Sequence, residues 1–96
     1  MVDKQQVMSE LAKVVDPEIG IPITEMNLVD EVDINKNSEV TVKYHLTMPF
    51  CPPIFALAIG QDIKRRVSSL QGVTKVTAIL SNHQMADEIN KRINSS

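Results

Sequence analysis

Residues 40–70 have the sequence VTVKYHLTMPFCPPIFALAIGQDIKRRVSSL, and this stretch decides the fold. Apolar and polar side chains alternate up to Thr47, which is the pattern of a strand with one buried face. From Ile54 to Leu70 the apolar residues recur at helical spacing. The three prolines between these parts lack N–H donors and fix φ at about −65°, so they exclude a strand or helix interior. We therefore predict a strand, a rigid loop and a helix.

The loop brings the only cysteine of the chain, Cys51, to the start of the predicted helix. Unpaired N–H groups and the macrodipole at a helix N-terminus favour negative charge, so a thiol there should ionise more easily than a free thiol. The thiolate is the form that acts as a nucleophile and binds metals. A lone cysteine is also commonly a small buried apolar residue, and placement alone leaves both interpretations open.

Two further strands flank this unit. Leu28 to Ile34 is predicted to be a strand, although Asp30 interrupts its apolar face. A turn at residues 35–38 joins it to the strand Glu39–Thr47, which predicts an antiparallel hairpin. Val73 to Leu80 is predicted to be the third strand, and the helix before it favours a right-handed crossover with parallel pairing.

Helices are also predicted at both ends of the chain. The first runs from Asp3 to Val15, with a capping box of Asp3 and Gln6, and it ends at Asp16 because Pro17 disfavours helical geometry before it. The last is short and carries an apolar stripe of Met85, Ile89 and Ile93, after a second capping box of Ser81 and Gln84.

The central helix is predicted from Pro53 to about Leu70, with Gly72 as its C-terminal stop. The side chains predicted to form its buried stripe are Ile54, Phe55, Ala58, Ile59, Ile63, Val67 and Leu70. The element order is then α-β-β-α-β-α. This order predicts an α/β (α+β) two-layer sandwich with a small mixed three-stranded sheet, formed by residues 1–96 as a single domain.

Composition narrows the classes of function. A net charge of −2 provides no basic surface for nucleic acid or for an anionic membrane. There is no signal-peptide pattern at the start and no apolar run near the roughly 20 residues of a membrane helix. A single cysteine excludes an intrachain disulfide. We expect a cytoplasmic protein that binds neither nucleic acid nor membrane.

Chemistry-bearing residues are few. Thr47 lies at the carboxyl end of its strand, where ligands bind in open α/β sheets. Its hydroxyl could form a hydrogen bond with the thiolate. The alternative is that threonine stands there only because of its high strand propensity. His45 precedes Cys51 by six residues, so a Cys–His pair is conceivable, but an ordinary surface imidazole is the commoner outcome. Asp16 suits a turn, and Glu18 suits exposure to solvent.

Three segments together resemble the small domain of iron–sulfur cluster assembly proteins. They are DPEIGIPI at 16–23, MNLV at 26–29 and LTMPFCP at 46–52. This family includes SufT-like maturation factors, the PaaD-like component of phenylacetate oxidation and a eukaryotic cytosolic assembly factor. The resemblance extends from about Val7 to Leu80. Where the family pattern usually has Gly, this chain has Asn27 and Phe50, and it has Asp30 where Tyr is frequent.

The resemblance implies the fold predicted above. It also implies an accessory factor in iron–sulfur cluster assembly or transfer to client apoproteins, rather than an independent enzyme. Cys51 is then the reactive residue and a transient iron–sulfur ligand. Asp16, Glu18 and Thr47 match the family motif, and this match implies that they belong to a supporting site. The implied partners are the iron–sulfur assembly machinery and client apoproteins.

The number of cysteines constrains how a cluster could be held. Clusters normally take four protein ligands in all, and this chain has one cysteine. We therefore expect a transient iron–sulfur cluster or iron, none of it permanently bound, held by a homodimer, with external thiols or jointly with a partner.

Two other functions remain open from the sequence. One is a non-catalytic adaptor that recruits client proteins without binding metal. The other is an RNA-binding module, because KH domains have a similar element order, but the chain lacks their Gly-x-x-Gly loop.

Overall fold

The computed structural model describes residues 2–17, 19–47 and 52–94. Its elements are α1 (Lys4–Leu11), β1 (Val29–Ile34), β2 (Glu39–His45), α2 (Pro53–Ser68), β3 (Lys75–Ser81) and α3 (Ala86–Ile93). The strands form one sheet in the order β1-β2-β3. The pairing of β1 with β2 is antiparallel and that of β2 with β3 is parallel, which confirms the predicted fold class.

The central strand β2 divides the sheet into two faces. Val40, Val42 and Tyr44 are buried on one face, whereas Lys43 between them is exposed. The helices pack on the buried face, so the other face of the sheet is open to solvent. The alternation in sequence predicted this division correctly.

The core is closed by a contact between Tyr44 and α2. The Tyr44 hydroxyl donates a hydrogen bond of 2.9 Å to the carbonyl of Ala56, in the first turn of α2. A methyl group at Gly60, one turn further along, would lie 2.7 Å from the Tyr44 Oη and would also collide with Ile93 of α3. The absence of a side chain at Gly60 therefore lets β2, α2 and α3 meet at one point.

The first helix is shorter than predicted. Its capping box is confirmed, with Asp3 and Gln6 bonding each other's backbone N–H groups. The helix ends at Leu11 because the following residues pair elsewhere: the Val14 carbonyl accepts from the N–H of Ile23 at 2.9 Å, and Val15 forms an isolated antiparallel bridge with Pro22.

The buried face of α2 also differs in part from the predicted stripe. The buried residues are Ala56, Ile59, Gly60, Ile63 and Val67. Ile54 is 71% exposed and Ala58 is exposed, so their assignment to the core was wrong. The reason is the close approach of α2 to Tyr44 and α3, which selects the face with small residues at 56 and 60.

Two predicted helix-end signals were wrong. Gly72 has φ of 97° but belongs to the turn before β3, beyond the C-cap Ser69. Ser81 is the last residue of β3 and does not cap α3, whose N-cap is Met85 without a side-chain hydrogen bond. No helix in the described ranges is long and apolar enough to cross a membrane.

The last helix covers the edge of β3 through two asparagines. Asn90 exchanges two hydrogen bonds with the backbone of Leu80, of 2.7 and 3.0 Å. Asn94 does the same with Ala78, at 3.2 and 2.9 Å. An uncovered edge strand presents unpaired N–H and C=O groups. The two side-chain amides satisfy these groups by making the hydrogen bonds that a neighbouring strand would make.

Candidate functional site

The candidate site lies at the carboxyl end of β2. Because β2 and β3 are parallel, the segments that follow them leave the sheet at the same edge. Thr47 follows β2, and Asn82 follows β3. Together with His45 and Leu46 they line a surface depression of about 430 Å³. Of the two residues predicted to lie beyond the strand end, Thr47 thus lines a concave surface, and Cys51 lies outside the described residues.

The loop that begins at Asp16 is tied to this end of the sheet by three backbone hydrogen bonds. The N–H of Ile23 donates to Val14, that of Leu28 to Ile23, and that of His45 to Leu28, at 2.9 to 3.0 Å. These bonds connect the loop, step by step, to the last residue of β2. The loop and Thr47 therefore belong to the same end of the molecule.

Asp16 heads a tight turn in that loop. Its N–H donates to the carbonyl of Ile21 at 3.0 Å, and its own carbonyl accepts from Gly20 at 2.7 Å. Gly20 has φ of 80°, a conformation that glycine adopts without steric cost. Asp16 is 6% exposed. Burial of a carboxylate is costly unless its oxygens are hydrogen-bonded or paired, so the side chain at this position is tightly constrained.

The four residues predicted for the site divide into two groups. Asp16 and Thr47 lie in the described part of the chain, at the end of the sheet defined above. Cys51 and Glu18 lie outside the described residues. In the sequence Cys51 stands two positions before Pro53, where α2 begins as predicted. The roles of all four remain predictions.

A pairing that the sequence did not predict lies beside Thr47. The Nδ1 atom of His45 is 2.9 and 3.0 Å from the two carboxylate oxygens of Asp30. Simple alternation would turn Asp30 toward the buried face with Val32. The register of β1 shifts between Val29 and Glu31, and bulges of this kind re-aim side chains. The interruption of an apolar face by Asp30 was the one signal in the sequence.

The other histidine has a different environment. His83 is buried, and its Nδ1 atom accepts a hydrogen bond of 3.0 Å from the N–H of Met85. This bond fixes the turn between β3 and α3. His83 therefore has a structural role in the described part of the chain.

Exposed apolar side chains surround this end of the molecule. Among the described residues the large ones are Val15, Ile19, Ile21, Ile54 and Met85. The first three belong to the Asp16 loop or its start, whereas Ile54 lies in the first turn of α2 and Met85 is the N-cap of α3. Ile54 and Met85 also line a groove of about 410 Å³ between α2 and α3. Apolar surface of this kind is typical of sites that contact another molecule.

Within residues 2–17, 19–47 and 52–94, no group of three or more His, Cys, Asp or Glu side chains is arranged to hold a metal ion.

The sequence pattern of the iron–sulfur cluster assembly protein family matches residues 4–78. The chain belongs to this family. Membership confirms the resemblance found in the three sequence segments, and the match covers every described element except the end of β3 and α3.

The chain is similar in sequence to proteins of three organisms. The chain is 36% identical over 93 residues to an uncharacterized protein of Methanocaldococcus jannaschii, covering 97% of this chain and 96% of that protein. It is 34% identical over 85 residues to an iron–sulfur cluster carrier protein of Mycobacterium leprae, covering 88% of this chain but 21% of the relative. It is 34% identical over 73 residues to an Fe–S protein maturation auxiliary factor of Porphyromonas gingivalis, covering 76% and 68%.

A solved structure shares the fold. The crystal structure of a domain of unknown function (DUF59) from Bacillus anthracis superposes with a TM-score of 0.75 over 88% of each chain, at 24% sequence identity. The mixed three-stranded sheet with three helices is thus the architecture of this neighbour as well.

Proposed function

We propose that the protein is an accessory factor in the assembly of iron–sulfur clusters or in their transfer to client apoproteins. The observation that carries this proposal is the family match over residues 4–78. The names of two relatives, a cluster carrier and a maturation auxiliary factor, point in the same direction. The carrier is about five times as long as this chain, so the activity of its remaining part is not transferred here.

Cys51 is the residue to which we assign the chemistry. It is the only thiol of the chain, and it stands directly before the two prolines that start α2. The 16 residues of α2 give its N-terminus a full macrodipole, which favours a thiolate nearby. A thiolate is a soft ligand of the type that iron–sulfur clusters use.

Asp16, Glu18 and Thr47 are assigned supporting roles. They position the loop around the thiol or help to bind iron during transfer. The hydrogen bonds that link the Asp16 loop to the end of β2 support this assignment, because they keep Asp16 and Thr47 on connections at one edge of the sheet.

The iron–sulfur cluster is cargo in this proposal. One thiol leaves most ligand positions of a cluster unfilled, which favours transfer over storage. The exposed apolar side chains at the same end, with Ile54 at 71%, provide surface for the assembly machinery or a client.

The test is the variant Cys51→Ser, which retains a hydrogen-bonding group of similar size but lacks the soft thiolate. We expect it to fold with a thermal midpoint close to that of the wild type. It should fail to accept a cluster in anaerobic reconstitution with iron and sulfide, and it should not rescue a cell that lacks the protein. Full rescue together with normal cluster transfer would contradict the proposal.

An adaptor that recruits clients without touching metal is the second candidate. The observation that favours it is the groove between α2 and α3, whose lining includes Leu57 and Ile89. Analysis of iron and labile sulfide in protein purified without oxygen separates the two. An adaptor would contain neither, and Cys51→Ser would still capture its client.

A further inference from the structure

We propose that α3 is a detachable cap on the edge of β3. When α3 opens, this edge is exposed to an extended segment of a partner protein, which pairs with β3 as a fourth strand. The inference does not rest on the proposed function, since Cys51 and the Asp16 loop take no part in it. The attachment of α3, the core that remains without it and the direction of the β3 backbone groups support the proposal.

The attachment of α3 to the body is slight. Its buried side chains are those of Ile89 and Ile93. Asn90 and the C-cap residue Asn94 make the hydrogen bonds to β3, and the Lys64 ammonium donates a further bond of 3.1 Å to the carbonyl of Ile93. All these polar groups can bond water when α3 leaves, so opening costs mainly the burial of two isoleucines.

The helix also has little stability of its own. It has eight residues, whereas isolated helices shorter than roughly 12–15 residues are marginal in water. Its N-cap Met85 makes no side-chain hydrogen bond to the free N–H groups of the first turn. Packing on the body therefore holds α3 in its helical form. Segments held in this way open at a lower free energy than the core does.

The rest of the core does not depend on α3. In the described ranges, the other buried apolar side chains of the core lie in other parts of the chain. The main loss on opening is at Gly60, against which the side chain of Ile93 packs. The matched family pattern ends at residue 78, before α3 begins. The sheet with α1 and α2 can therefore stay folded while α3 is open.

The edge of β3 is a template for another strand once α3 has left. The N–H and C=O groups of Ala78 and Leu80 point away from β2, because these are the groups that the two asparagines bond. Backbone groups alternate in direction along a strand, so those of Val76 point to the same edge. The bonds of the asparagines end at Ala78, and the edge continues beyond them. An edge of this kind pairs with extended segments.

The contacts that α3 gives up define the chemistry of the partner. Its backbone takes over the bonds of the two asparagines, and its alternate side chains are apolar, because they cover the surface that the two isoleucines leave. The other edge strand of this chain, β1, is poorly suited to this place in a second copy. It carries Asp30, Glu31 and Asp33 and a shift of register, which are features that protect an edge from pairing.

Hydrogen exchange of the wild-type protein, followed by NMR in low concentrations of guanidinium chloride, tests the opening. We expect the amides of Ala78, Leu80 and Ile89 to exchange faster than that of Ile79, whose N–H points to β2. Their rates should also depend less on denaturant, because that dependence scales with the surface exposed on opening. Equal rates and equal dependences for all four amides would show that α3 opens only in global unfolding, and would overturn the proposal.

A peptide with the sequence of β2, EVTVKYH, is the probe for the exposed edge, because β2 already pairs in parallel with β3. Its addition should shift the NMR signals of Val76, Ala78 and Leu80. In the double variant Asn90→Ala/Asn94→Ala the peptide should bind more tightly. The expected factor is the one by which the variant speeds exchange of the Ile89 amide, since affinity scales with the open fraction.

Lys91→Ala is the matched control, because Lys91 is exposed on the same helix. It should leave the affinity for the peptide unchanged. Equal affinities of the control and the double variant would reject α3 as the cover of the edge, and a folded double variant that does not bind the peptide would reject the edge as a docking site. The exchange experiment uses the wild type, so it decides the opening even where the double variant does not fold.

Discussion

At the scale of the residue, Tyr44 links a local environment to a property of the whole fold. It is the only tyrosine of the chain, its side chain is buried, and its hydroxyl donates to Ala56. Burial raises the pKa of the Tyr44 phenol well above its ordinary value, because the charged phenolate is poorly solvated there. The folded state therefore holds the phenolic proton of Tyr44 more tightly than the unfolded state does.

This difference predicts a loss of stability at high pH. Above about pH 10 the unfolded state loses the Tyr44 proton while the folded state keeps it. The folded state then binds more protons, so its stability falls as pH rises further. The thermal midpoint of the wild type should fall more steeply above about pH 10 than that of Tyr44→Phe, whose lost hydrogen bond costs about 1 kcal/mol at all pH values.

The same residue supplies a direct check. The chain has no tryptophan and one tyrosine, so the absorbance of tyrosinate reports Tyr44 alone. We expect no tyrosinate signal near the ordinary pKa of about 10 until the protein unfolds. A folded protein whose phenol titrates with a midpoint near 10 would contradict the argument.

At the scale of the element, Asn90 of α3 and the C-cap residue Asn94 make the hydrogen bonds that a fourth strand would make. Each side chain offers one donor and one acceptor to the backbone of alternate residues, Ala78 and Leu80. The spacing works because residues four apart on a helix share a face, while residues two apart on a strand point their backbone groups to the same edge.

This arrangement predicts a selective effect on hydrogen exchange. In Asn90→Ala the amide proton of Leu80 should exchange faster, and in Asn94→Ala that of Ala78 should do so. Ile79 is the control, because its N–H points to the opposite edge, toward β2. Each variant should lose roughly 1–3 kcal/mol, since it leaves partly buried backbone groups unsatisfied. Uniform acceleration of all three amides would indicate global destabilisation instead.

The elements themselves were largely predictable from sequence, because their signals are local. Alternation defined β2, the prolines defined the start of α2, and Asp3 with Gln6 defined the start of α1. Even the departure at Asn27 has a local explanation: its φ is 56°, in the left-handed region that glycine, and to a lesser degree asparagine, adopts.

The errors arose where tertiary contacts override local preference. Val14 leaves α1 because its carbonyl accepts from Ile23, a partner that helical periodicity does not reveal. Ile54 is exposed because α2 turns its small residues toward Tyr44. The pair of His45 and Asp30 depends on a shift of register in β1, which periodicity alone predicts against. The motif resemblance thus named candidate site residues, whose roles stay predictions, and it gave no geometry for them.

At the scale of the whole molecule, the proposed chemistry is concentrated at one end of the sheet. His45, Thr47 and the Asp16 loop lie at the carboxyl end of β2. The exposed apolar side chains lie in that loop or directly before it, in the first turn of α2 and at the N-cap of α3. The opposite end carries the Gly72 turn, whose glycine lies near the backbone of Val2. We propose that this end is the part of the molecule that contacts a partner in cluster transfer.

The count of ligands at that end predicts the composition of the loaded protein. Each chain supplies one thiol, whereas a cluster normally takes four protein ligands, so a single chain cannot complete the ligand set. Anaerobic reconstitution without added thiols should therefore yield a species of two chains sharing one cluster, measured by native mass spectrometry. With glutathione present, one chain carrying a cluster and bound thiols should also form. Cys51→Ser is the control and should give neither species. A single chain that holds a cluster without any added thiol would show that the ligand count, and with it the argument for transient transfer, is wrong.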